Sequence, residues 1–227
     1  MAVKKPPSSD EKVFEHLKKL DDAQEKKKTS KADEELFELL SPKRNIDLRI
    51  EKMFQDLPEK FVVLLLEKVQ EYAMISLRLM HFFSENEIPG IYISTNKPLS
   101  ALMESLNAQK INYKNVFFVD AVTKTINAEI IEGANFVYID SPKNLTDLSV
   151  AIDAGAQKIK AEKKFIIFDS LSTLLVYNKA GVVEKFTHSV AGKMRTWNAK
   201  GFFLMVENRQ DETTKTIAQF CDETVEI

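Results

Sequence analysis

From Phe61 onward the chain repeats one pattern: a short apolar run without strict alternation, then a longer segment with apolar residues at helical spacing. FVVLLL (61–66) precedes a helical pattern through MISLRLMHFF (74–83), and GIYIST (90–95) precedes PLSALMESLN (98–107). NVFFVDA (115–121) leads into a polar loop, and NFVYIDSP (135–142) precedes NLTDLSVAIDAGAQKIKAE (144–162). KFIIFDS (164–170) precedes VEKFTHSVAGKMRTWNAK (183–200), and GFFLMVE (201–207) precedes TTKTIAQFC (213–221). Apolar runs rich in β-branched and aromatic residues suit strands covered on both faces, and the longer segments between them supply the helical crossovers that parallel strands need. The pattern predicts an α/β fold: a parallel β-sheet flanked by helices on both faces, with VEI (225–227) as one more short strand.

Charge divides the chain. The first 56 residues carry 26 charged side chains, whereas the other 171 carry 40. Residues 1–56 are therefore expected to form a charged arm, partly helical or disordered, ahead of an α/β domain at 57–227. KKPPSSD (4–10) reads as a tail; VFEHLKKL and ADEELFELLSP read as short amphipathic helices, the second stopped by Pro42. A docking helix built on Leu36, Phe37, Leu39 and Leu40 is the sharper reading of that arm, a mobile tether the plainer one. The net charge of −2 gives no global attraction to nucleic acid or anionic membrane. One cysteine, Cys221, excludes an intrachain disulfide and fits a reducing compartment. With no apolar stretch long enough for a signal peptide or a bilayer span, the expected location is the cytoplasm, without membrane insertion.

Ligands of open parallel sheets gather at the carboxyl ends of the strands. There the sequence offers Glu67, Thr95-Asn96, Asp120, Asp140-Ser141, Asp169-Ser170 and Glu207-Asn208. KFIIFDSLSTLL stands out, because a buried strand that delivers a carboxylate to the rim is one way to hold magnesium beside phosphates. Asp-Ser also caps helices and turns, which is the competing structural reading.

The order GIYISTNKPLSALMESL, NVFFVDAVT, KFIIFDSLSTLLVYN, GFFLMVENRQDETTKTIAQFCDETVEI resembles the KaiC and RecA superfamily of ATPases, in particular its archaeal KaiC-like branch, over Phe61 to Ile227. The resemblance implies a RecA-like core with a glycine-rich loop after the first strand cradling ATP phosphates. It implies an acid assisting magnesium at Asp169, with Ser170 beside it, and a water-priming glutamate after YIST. Ser76 offers a hydroxyl for such a site, though alanine, methionine and isoleucine precede it where the lysine should be, and Glu207 lies at a strand end where RecA-like proteins often place a polar residue sensing phosphate.

Two of these implied features are missing from the residues. A phosphate loop needs glycines so that successive N–H groups can turn inward, a lysine for the terminal phosphates and a Ser or Thr for magnesium. Residues 67–76 read EKVQEYAMIS; no glycine occurs between Lys60 and Ile88, Lys68 comes at the strand exit, and no Lys-Ser or Lys-Thr pair follows. Asn96 and Lys97 occupy the place of the catalytic glutamate, and an amide cannot take a proton from water at neutral pH. The expectation is a pseudo-ATPase that retains Asp169 and works as a regulatory or scaffolding protein-binding module. Its partner would be an active ATPase relative or another copy of itself, and no cofactor would be required. The alternatives are ATP and magnesium bound through a non-standard loop, and nucleic-acid binding by a basic stripe at Lys185, Lys193, Arg195 and Lys200. His16, His81 and His188 are too scattered for zinc. Trp197 is expected to pack under the sheet near a helix end.

Overall fold

FVVLLL becomes strand β1 (Phe61–Glu67), all seven residues buried. The computed structural model describes residues 42–67, 72–206 and 211–226. Contacts divide the chain into two units, 1–45 and 46–227; the second holds the sheet.

After helix α1 (Pro42–Asp56) and β1 come α2 (Tyr72–Glu85), β2 (Gly90–Ser94), α3 (Leu99–Ala108), β3 (Val116–Asp120) and β4 (Phe136–Tyr138). Then follow α4 (Leu145–Lys158), β5 (Lys164–Asp169), α5 (Leu171–Tyr177), α6 (Ala180–Thr196), β6 (Ala199–Val206), α7 (Glu212–Ala218) and β7 (Glu223–Glu226). Among the described residues the strands form one seven-stranded sheet in the order β4-β3-β2-β5-β6-β1-β7. Every pairing is parallel. The α/β reading of the sequence holds, including the terminal strand.

Alternation along β1 builds two cores. Val62, Leu64 and Leu66 pack with residues of α4, α5, α6 and α7, such as Leu148, Leu174, Val190 and Ile217. Phe61, Val63 and Leu65 face the other way, with Ile46, Ile50 and Met53 of α1, Leu79 and Phe83 of α2 and Leu102 of α3. Ile46, Ile50 and Met53 follow helical spacing on α1, so a stretch counted by charge with the arm places one stripe in this core. Arg78 of α2 clamps α1 through a two-pronged ion pair with Asp47, at 2.5 and 2.7 Å. Phe54 adds a ring stacked on Phe82, centroids 3.9 Å apart. Pro42 opens α1, as its fixed φ and missing N–H permit at a first helical position, and the helix expected before it lies outside the described residues.

Gly90 begins β2 because nothing larger fits: a Cβ there would come within 2.4 Å of the Phe165 ring. The short α5, between Asp169 and the long α6, has no counterpart in the sequence reading.

Candidate functional site

The register brings several polar strand ends to one rim. Thr95 joins the exits of β2 and β5: its N–H donates to the Asp169 carbonyl at 2.7 Å, and its hydroxyl donates to the Ser170 carbonyl and accepts from the Ser170 N–H, both at 2.9 Å. The Asp169–Ser170 peptide is cis. Tyr92 donates its phenol to Asp169 Oδ2. Both Asp169 and Ser170 are buried. Ser170 occupies the N-cap position of α5 but makes no side-chain cap; its hydroxyl lies 3.4 Å from that of Thr173. Ser172 accepts from the Val206 N–H at 2.9 Å and so fastens the end of β6.

Glu67 ends β1 and is completely buried. Among the described residues, neither of its carboxyl oxygens has a hydrogen-bond partner. Burial pushes its pKa up to about 10; the Asp169 charge adds to the rise, and Lys97 works against it. Glu67 is thus a neutral acid at pH 7. Only residues 68–71 separate it from α2. A G-x-x-x-x-G-K-[ST] loop places six residues before the Lys-Ser/Thr pair that opens its helix, so a four-residue link is too short for that design.

The other expected site residues scatter. Ser76 is the fifth residue of α2 and buried, one turn inside the helix instead of at its mouth. Asn96 is exposed in the bend after β2. Neither belongs to the Thr95–Ser170 junction, and Glu207 lies outside the described residues. Asp120 has a role that the sequence reading missed. One of its oxygens accepts from the Val122 and Thr123 N–H groups at 2.6 and 2.8 Å; the other accepts from the Leu99 N–H and the Thr123 hydroxyl, both at 2.6 Å. It caps the start of α3 from a neighbouring strand, and its lone pairs are occupied within the fold. An Asp followed three residues later by Thr was the available signal.

The basic segment does not form a stripe. Lys193 is bonded to Asp153 at 2.7 Å and Ser149 at 2.8 Å, and Arg195 to Asp222 and the Phe220 carbonyl, both at 2.8 Å. Lys185 is exposed, and Lys200 sits at the far end of the sheet. His81 contacts Glu85 at 3.3 Å, and the His188 ring packs against Phe220. His16 lies outside the described residues. No group of three or more His, Cys, Asp or Glu side chains that could hold a metal occurs among the described residues. Cys221 is partly buried, and burial pushes its thiol up to about 12, away from reactivity. Trp197, at the C-cap of α6, packs against the core on that face. No helix among the described residues is long and apolar enough to cross a membrane.

A family model matches residues 62–227, the whole sheet apart from the first residue of β1. The chain belongs to DUF7504, a family of unknown function. No curated protein matches it. Among solved structures, this DUF7504 chain is similar to the crystal structure of a KaiC-like protein from the hyperthermophilic archaeon Pyrococcus horikoshii OT3. The TM-score is 0.53 at 9% identity, over 75% of this chain and 72% of that one. That likeness establishes a RecA-like, KaiC-like fold for the DUF7504 chain.

Proposed function

We propose that this chain is a KaiC-like domain with a degenerate phosphate loop, a pseudo-ATPase that acts as a regulatory or scaffolding module by binding another protein. One observation carries the reading: β1 reaches α2 through four residues without glycine, and the strand ends on a buried, unpartnered carboxyl. A triphosphate needs inward-facing N–H groups and positive charge at that exit. The exit supplies an acid whose ionisation beside phosphates would be doubly unfavourable, through desolvation and repulsion. Magnesium and ATP therefore do not fit the described residues. Exposed Val176, Tyr177 and Val182, close together in sequence at the α5–α6 junction, support the protein-binding half of the reading.

The second reading is a nucleotide binder with a non-standard loop. It is favoured by Asp169, a buried carboxylate at the end of β5, where the resemblance to KaiC-like ATPases implies an acid that assists magnesium. Thermal melting with and without ATP, ADP and magnesium separates the two. A nucleotide at one hundred times its dissociation constant would stabilise the native chain by about 2.7 kcal/mol. The pseudo-ATPase reading expects no stabilisation that depends on Asp169. A magnesium-dependent rise in Tm with ATP that disappears in Asp169→Ala would overturn it.

A further inference from the structure

At the opposite end of the sheet, the beginnings of β1, β5 and β6 surround a cavity of about 170 Å³. Its walls carry Lys60, Lys163, Lys164 and Lys200, together with Glu59, Glu162 and Asn198. Register explains why residues so far apart in sequence meet there. Lys200 of β6 pairs with Phe61 on one side and Phe165 on the other, which sets it one position from Lys60 and Lys164.

Among the described residues, one of the four ammonium groups forms an ion pair with a carboxylate, Lys163 with Glu59. Lys60 donates to the Asn198 side-chain oxygen at 3.1 Å, Lys164 to the Ile159 carbonyl at 2.9 Å and Lys200 to the Glu59 carbonyl at 2.7 Å. Those acceptors are neutral, and an ammonium has three N–H groups, so each lysine keeps donors to spare. Glu162 is the one acid left, and the cavity has a surplus of two positive charges. Lys200 is held in place over aromatic faces, 5.1 Å from the Phe61 ring centre and 5.9 Å from that of Phe54. Burial pushes its pKa down, against the opposing pull of the Glu59 charge, and the Lys163 charge adds to the fall.

We propose that this cavity binds a small oxyanion of the phosphate class, either free phosphate or the phosphate group of a small monoester. Phosphate carries about −1.5 to −2 charges at neutral pH and several strong acceptor oxygens, which match the surplus charge and the spare donors. The volume suits a phosphate with a few more atoms, and is below the range of about 300–1,000 Å³ typical of sites for larger ligands. A compact cluster at strand beginnings also differs from the extended basic stripe that tracks a nucleic-acid backbone.

The test is a 1H–15N NMR titration of the whole chain with inorganic phosphate, against chloride at matched ionic strength. Saturable shifts at the Lys60, Lys164, Asn198 and Lys200 amides are expected. Lys60→Gln and Lys164→Gln should each weaken phosphate binding about tenfold, the loss expected for one charge-assisted hydrogen bond. Exposed Lys185→Gln should leave it unchanged. Tighter binding of glycerol phosphate than of phosphate assigns a monoester, and the reverse assigns the free ion. Equal shifts in chloride, or unchanged binding in both lysine variants, overturns the site. So does saturable binding of a DNA duplex to the same amides in preference to phosphate. The two proposals fail separately: an ATP-induced rise in Tm abolished by Lys60→Gln but kept in Asp169→Ala comes from this cavity, not from the rim.

Discussion

The two ends of the sheet treat charge in opposite ways. At the carboxyl rim, Asp120 has its lone pairs filled by α3 and its own turn, Asp169 accepts from Tyr92, and burial keeps Glu67 neutral. At the amino end, three lysines turn to neutral oxygens and keep their charge. A RecA-like sheet is expected to receive phosphates at the rim, where loops follow the strands. Here the acids lie at that rim and the surplus cations at the other end. The strand scaffold is similar to that of the KaiC-like structure, and a fold alone does not assign a function.

The largest expected effect breaks the amino end from below. Phe61 is buried, in edge contact with Phe202 at 5.3 Å, and lies beneath the Lys200 ammonium. Phe61→Ala should cost about 3–5 kcal/mol, the range for deleting a core ring, read from the urea midpoint. If the variant stays folded and binds phosphate as tightly as the parent chain, the aromatic seat of Lys200 has no part in the contrast.

Next in size is the effect at the rim. Glu67 loses its proton near 4.5 in the unfolded chain but only near 10 when folded. Between those values the unfolded state binds fewer protons, so this group's contribution to stability falls as pH rises. At pH 7 the accumulated penalty is about 3 kcal/mol. Glu67→Gln should therefore be more stable than the parent by about that much at pH 7 and nearly equal to it at pH 4.5. The gap should widen by about 1.4 kcal/mol per pH unit in between. A gap independent of pH would mean that Glu67 is ionised in the native state, and that the rim holds a negative charge after all.

Much of this scaffold was legible in the sequence because apolar runs such as FVVLLL and KFIIFD need no knowledge of their neighbours to be read as buried strands. The helices of α3, α4, α6 and α7 were legible for the same reason. Strand order was not, since β1 lies beside β6 and β7, pairings that local pattern cannot encode. Helix α1 was obscured by averaging: Arg49, Glu51 and Lys52 raise the charge density, while Ile46, Ile50 and Met53 carry the packing. At the site, the missing glycines could be read directly, as could Asp169 at a strand end. The burial of Glu67 could not, because an acid that ends a strand is ordinarily solvated. The lysine cavity was hidden for another reason: Lys60, Lys164 and Lys200 converge only once three strands are in register.

The smallest effect concerns lysines whose charge is already cancelled. Lys193 on α6 reaches Asp153 and Ser149, and both members of the ion pair remain partly open to solvent. Pairs of this kind contribute about 0.2–1 kcal/mol, because water and salt screen them and ordering two long side chains offsets part of the attraction. Lys193→Gln should lower stability by less than about 1 kcal/mol, and the difference should narrow in 1 M salt, where screening acts over about 3 Å. Neither phosphate nor DNA affinity should change, since the carboxylate already occupies the charge that an anion would need. A clear loss of anion binding in this variant would move the cationic surface onto α6, revive the basic stripe read from the sequence, and remove the distinction between paired lysines there and unpaired lysines at the strand beginnings.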